Sequence, residues 1–115
     1  MSEIPFRLET TDEHGDAPLA WARREERVRI TVRAGERRTA GHAISIVRIV
    51  RDGTRLTVKV ALRTPPPDAM VAQVLTWPAQ TVSIEARAVR GVHEALLVDV
   101  LGTELARITP RLPTS

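Results

Sequence analysis

Two runs rich in β-branched residues, Ala43 to Val50 and Thr54 to Leu62, flank the dipeptide Asp52-Gly53. β-Branched side chains lose rotamer freedom in helices and pack well on a pleated surface. Glycine takes positive φ without steric cost, so Asp-Gly between such runs specifies a tight β-hairpin. The register stays open. A two-residue turn sets Val47 and Ile49 beside Leu56 and Val58, and a three-residue turn with a glycine bulge sets Ile44 and Ile46 beside Val58 and Val60. Either register leaves one strand with apolar residues on both faces. Another segment, a second sheet or a partner must cover the second face, so a sandwich and a homodimer both satisfy the pattern.

The same period of two recurs along the chain. Val28, Ile30 and Val32 alternate with Arg27, Arg29, Thr31 and Arg33, which reads as a half-buried strand with a solvated arginine face that discourages edge pairing. Val82, Ile84, Ala86 and Ala88 share one face of a strand over 81–89. Residues 96–101 and 105–109 form a second hairpin around Gly102. Residues 1–25 read as a lead-in: a short strand over 6–10, an acidic, turn-rich loop over 11–18, and one helical turn or irregular chain over 19–26. Pro65-Pro66-Pro67 stops the second hairpin strand, because proline cannot donate to a ladder. Behind them Met70, Val71, Val74 and Leu75 recur at helical spacing after a candidate N-cap, Asp68. This predicts one short helix or compact loop near residues 68–77, closed by Trp77-Pro78. Residues 110–115 read as a frayed tail. The expectation is one all-β, mainly antiparallel domain over residues 1–115, a small sandwich or partly open barrel.

Composition removes several functions. The 115 residues hold no cysteine, so thiolate metal sites, disulfides and a cysteine nucleophile are absent. His14, His42 and His93 show no HxH or HExxH spacing, and only the fold could assemble them around a metal. Ser45 and Ser83 lie within strands, without a GxSxG elbow. Gly35 and Gly41 make no phosphate-binding pattern. Glu85 and Glu94 are acid/base candidates only if the fold joins them. No catalysis, cofactor or metal is expected. The net charge is +3, and Lys59 is the single lysine, so the high isoelectric point reflects arginines that never deprotonate. Phe6, Trp21 and Trp77 are the only aromatics, which disfavours base stacking and makes nucleic acid the lesser partner class. Residues 1–16 carry five acids and no leader pattern, and no apolar run approaches the roughly 20 residues of a membrane helix. The chain as written is expected in the cytoplasm, off the membrane, and exported only if a leader preceded Met1.

Two segments carry a family resemblance. One runs from Gly35 through Glu36-Arg37-Arg38-Thr39-Ala40-Gly41-His42 into Ala43-Ile44-Ser45-Ile46. The other runs from Pro65 through Asp68, Gln73, Thr76, Trp77 and Pro78 into Thr81-Val82-Ser83-Ile84. With the hairpin between them, they resemble the PrcB C-terminal family. Its members carry a G-x-x-x-T-G-G-Y loop entering a strand, then a hairpin, then P-x-P-G-x-x-x-x-Q-x-x-T-x-P and a final strand. Order and spacing agree from Val32 to Glu85. Ala40 replaces the first paired glycine, His42 the aromatic, and Asp68 the glycine after the prolines.

The resemblance implies a small, non-catalytic β domain that stabilises or regulates a protease subunit. The expected partner is therefore a protein, with a protease subunit as the first candidate; the alternative is that the chain is itself a basic, nucleic-acid-binding β domain. The expected contact loops hold Gly35, Arg37, Arg38, Thr39, Gly41 and His42 on one side, and Pro66, Pro67, Gln73, Thr76 and Trp77 on the other. Arg37 and Arg38 are the foremost contacts, since guanidinium groups form bidentate pairs with carboxylates. Each has a structural alternative: turn dihedrals for the glycines, stiffening for the prolines, backbone ties for Gln73 and Thr76, and core packing for Trp77.

Overall fold

A computed structural model describes residues 1–10 and 15–109. Among the described residues nine strands form two sheets. They are β1 (Ser2–Glu3), β2 (Arg7–Glu9), β3 (Leu19–Arg24), β4 (Arg27–Arg33), β5 (Ala43–Asp52), β6 (Arg55–Arg63), β7 (Ala79–Glu85), β8 (Glu94–Val98) and β9 (Glu104–Ile108), with a 3-10 turn at Ala86–Val89. One sheet has the order β1-β5-β6-β8-β9 and the other β2-β7-β4-β3. All pairs are antiparallel except β6 with β8, which are parallel because the chain leaves the first sheet to lay down β7 in the second before returning. The result is an all-β sandwich, not a closed barrel.

The hairpin register combines both sequence alternatives. Its turn has two residues, but they are Gly53 and Thr54, since Asp52 pairs with Arg55. Near the turn Ile49 faces Val58; farther along, Ile46 faces Val60 and Ile44 faces Leu62. A bulge between Ile46 and Arg48 changes the parity. Val47 takes the extra place and is exposed, so Ile44, Ile46 and Ile49 all reach the core although their numbers alternate in parity. The second sheet covers the inward apolar face of the hairpin. The bulge interrupts the ladder at Ile46, whose N–H donates instead to Gln80 Oε1 on the opposite sheet at 2.7 Å. That bond satisfies a part-buried backbone donor that the bulge would otherwise leave unpaired.

The core lies between the sheets. Val28, Ile30 and Val32 of β4 and Val82 and Ile84 of β7 face Ile44, Ile46 and Ile49 of β5 and Leu56, Val58 and Val60 of β6. The N-terminal region is not a lead-in. Its residues form an edge strand of one sheet and two edge strands of the other, Ile4 and Leu19 are core, and Phe6 and Trp21 pack against the core. Residues 19–26, read as a helical turn or irregular chain, form β3 and its two-residue turn to β4. That turn escapes sequence detection because Glu25 carries its positive φ of 57°, a conformation costing roughly 1–2 kcal/mol in a non-glycine residue.

The arginine stripe also has a different role. β4 is interior to its sheet, so its arginines protect no edge. Arg29 donates to Thr10 O at 2.6 Å, just after edge strand β2, and Arg33 donates to Ala17 O at 2.9 Å, just before edge strand β3. Arg27 donates to Ser83 Oγ and Ser83 O. Between these cations Thr31 and Thr81 are buried and share a 2.8 Å hydroxyl bond. The loop 11–18 lies partly, and the tail 110–115 wholly, outside the described residues. No helix among the described residues is long and apolar enough to cross a membrane.

Candidate functional site

The connections β4–β5 and β6–β7 both pass from one sheet to the other, and both do so at the same end of the sandwich. Arg33 pairs with Ala79, and Ala43 pairs with Arg63, which places all four strand ends together. The two connections, residues 34–42 and 64–78, are then tied along their length. Arg37 N–H donates to Thr76 O and Thr76 N–H to Arg37 O, both at 2.8 Å. Ala40 N–H donates to Ala72 O at 3.0 Å, Ala34 N–H to Pro78 O at 2.9 Å, and Thr76 Oγ1 to Thr39 O at 2.9 Å. Thr39 Oγ1 and His42 Nε2 lie 3.2 Å apart.

These ties sort the expected contact residues. Thr39 and Thr76 tie the two loops to each other, and His42 braces Thr39 within the first. Gly41 is bound by two conditions. Its φ is 93°, and a Cβ there would lie 3.1 Å from Pro65 Cβ and 3.4 Å from Val71 Cγ1. Ala40 and Asp68, which stand where the family pattern has glycine, have no positive φ and so accept a side chain. The glycine that was retained is the one the geometry requires. Gly35 has φ 81° over open space and serves the loop's entry turn. Pro66 and Pro67 are exposed, and Pro66 O accepts Ala69 N–H at 3.0 Å in a tight turn. The segment 68–77 is a compact, mostly extended loop and not a helix, and Asp68 caps nothing.

What remains exposed is apolar and basic. Trp77 is 64% exposed, which removes core packing as its alternative role. Met70 is fully exposed, and Val74 and Leu75 more than half. Met70, Val74 and Leu75 recur at helical spacing, yet in this loop the spacing buries none of them. The β8–β9 connection rises at this end too, because β8 runs parallel to β6 and Val98 lies level with Lys59. Asp99 Oδ1 accepts from Leu101 N–H and Thr103 N–H, both at 2.9 Å, and the loop so fixed carries the exposed Val100 and Leu101. Sequence reasoning missed these two, since apolar residues before a glycine are ordinary strand-end composition. Arg38 is exposed and Arg37 half-exposed, and neither guanidinium has a hydrogen-bond or ion-pair partner among the described residues. Gln73 is exposed and makes no hydrogen bond.

The acid/base and metal candidates separate. His42 precedes β5 beside Arg63, whereas His93 precedes β8 beside Arg55, eight residues away along β6. That is about 26 Å at the rise of a strand. His14 lies outside the described residues. Among the described residues no group of three His, Cys, Asp or Glu side chains is placed to hold a metal. Glu85 pairs with Arg87, and Glu94 with Arg55 and Arg107.

The opposite end is built of tight turns and charge. A groove there is lined by Arg23, Arg27, Arg87 and Arg90, with Glu26 and Glu85 among them.

No curated protein and no solved structure matches the chain. The family model for the PrcB C-terminal domain matches residues 29–85. The match begins in β4 and ends with β7, so it contains the four strands that build most of the core and both tied connections. The chain thus carries, over residues 29–85, a domain of the PrcB C-terminal family.

Proposed function

We propose that this domain is a non-catalytic protein-interaction module whose loop end holds a partner protein, stabilising or regulating it as a PrcB-type accessory domain would a protease subunit. One observation carries the reading. Exposed large apolar side chains gather on loops whose backbones are pinned by hydrogen bonds, so their exposure belongs to an ordered surface and not to a frayed one. Contiguous exposed apolar surface rimmed by polar groups marks interaction sites. Trp and Arg are enriched among the residues that dominate binding energy, and Trp77, Arg37 and Arg38 stand in this surface. The nucleic-acid alternative loses its main support, because Arg27, Arg29 and Arg33 are engaged by the protein's own oxygens.

The test is the double variant Arg37→Ala/Arg38→Ala. Affinity capture from the native cell, read by mass spectrometry, should lose the specific partner, while the melting temperature stays nearly unchanged. A large fall in melting temperature would make these arginines structural. Retention on DNA or RNA that falls steeply with added salt would favour the nucleic-acid reading.

A further inference from the structure

The way segment 72–78 is tied has a directional consequence. Its backbone is bonded to the neighbouring loop at Ala72, Thr76 and Pro78, all even positions. In extended chain, successive backbone groups point to opposite edges. The odd positions Gln73, Leu75 and Trp77 therefore turn their N–H and C=O groups away from the loop, and none of these groups has a hydrogen-bond partner among the described residues. The side chains of all three are exposed. A row of unpaired backbone groups beside exposed apolar side chains is a template for strand addition. Pro65, Pro66 and Pro67 bracket the segment on one side and Pro78 on the other, which limits any added strand to the stretch between them.

We infer that the free edge at Gln73–Trp77 receives an extended segment of the partner protein as an added strand, one that alternates apolar residues with carboxylates. This inference rests on the interaction-module reading and names its mode. The apolar residues would lie over Leu75 and Trp77. The carboxylates meet Arg37, Arg38 and Arg63, which have no side-chain partners among the described residues. The same charges argue against a second copy of this chain as occupant, because edge-to-edge pairing would bring two arginine rims together. Like charges juxtaposed across an interface disfavour the wrong partner.

The experiment uses the full chain, isotope-labelled, with two pools of capped nine-residue peptides. One pool alternates valine, isoleucine or leucine with glutamate or aspartate, and the other replaces every acid by lysine. The acidic pool should slow amide hydrogen exchange at Gln73 and Leu75, and the lysine pool should bind at least tenfold more weakly. Leu75→Pro deletes one edge N–H that bonds to nothing within the chain, and should abolish the protection. Leu75→Lys, which keeps the N–H, should weaken but not abolish it, so a misfolded proline variant does not leave the question open. Protection appearing instead along β3 or β9, or at no amide with either pool, overturns the inference. Protection at Gln73 and Leu75 without peptide, rising with protein concentration, also overturns it in favour of a second copy. If the peptides fail while Arg37→Ala/Arg38→Ala still loses the captured partner, strand addition is wrong and the interaction module stands.

Discussion

The two tryptophans sit in regions that invert what their sequence surroundings suggest. Trp21 lies in an arginine-flanked stretch near the N-terminus, and its ring packs against the core where β3 of one sheet abuts β9 of the other. Trp77 lies among prolines and apolar residues, and is 64% exposed. Topology explains the inversion. An edge strand of a sandwich still turns alternate side chains inward, and Trp21 shares the inward parity of Leu19. A loop tied to its neighbour by backbone bonds has no such obligation, and its side chains go where no sheet covers them. Burial follows the layer an element joins, and the hydrophobicity of its neighbours is a poor guide at the ends of the sandwich.

The contrast breaks or holds most clearly at Trp21. Its Nε1 is buried without a hydrogen-bond partner, so the ring's contribution comes from packing and is offset by an unsatisfied donor. Complete burial of a Trp is worth about 3–5 kcal/mol on truncation. For this partly buried ring, Trp21→Ala should cost about 2–3 kcal/mol in denaturant unfolding. Trp21→Phe keeps most of the packing and removes the orphan N–H, so it should cost less than half as much. If Trp21→Ala proves neutral, the ring adds nothing to the core and the contrast with Trp77 fails.

Smaller effects should separate the two glycines of the loop end. Gly41→Ala meets both a positive φ and Pro65 at 3.1 Å, and should destabilise by about 2 kcal/mol, near the middle of the range for stored backbone strain. Gly35→Ala has the dihedral penalty but open space, and should cost about 1 kcal/mol. Equal losses would show that Pro65 yields. Gln80→Leu removes the acceptor of Ile46 N–H, and should cost about 1–2 kcal/mol, the usual penalty for stranding a buried donor. No change there would mean that the bulge finds another acceptor, for instance water.

Much of this fold is legible from period-two patterning. The inward residues of β4 and of β7 read directly, whereas those of the hairpin stay open between two registers, and the pairing of the two motif loops is an expectation of the family resemblance. What was hidden has three physical causes. The Glu25-Glu26 turn uses a left-handed glutamate where glycine or asparagine would have announced it, so β3 passed for irregular chain. The bulge at Val47 shifts parity inside an unbroken run of β-branched residues, and nothing in local composition marks the shift; its signature is Gln80, more than 30 positions away. Apolar residues at helical spacing in 68–77 were ambiguous because spacing does not say whether a sheet lies beneath them. Arg37 and Arg38 are legible as cations without an internal tie among the described residues, because a guanidinium in a glycine-flanked loop has few internal partners. Thr39, His42 and Thr76 were not separable from them by residue type, since hydroxyl and imidazole groups serve an internal tie and a partner equally well.

The smallest expected effect is at Trp77. With the ring mostly in solvent and no hydrogen bond to it, Trp77→Ala should change unfolding free energy by no more than about 0.5 kcal/mol, the usual range for surface positions. The same substitution should remove much of the partner's affinity, because an exposed Trp on a pinned loop presents a large rigid surface at little entropic cost. Acrylamide quenching separates the two rings in the free protein: the quenchable emission should be that lost in Trp77→Ala, while the remaining Trp21 signal resists quenching. Adding the partner should protect the exposed ring. A Trp77 that is costly to remove and already protected in the free chain would put it inside the fold, and the two tryptophans would then be alike in the one property that distinguishes them here.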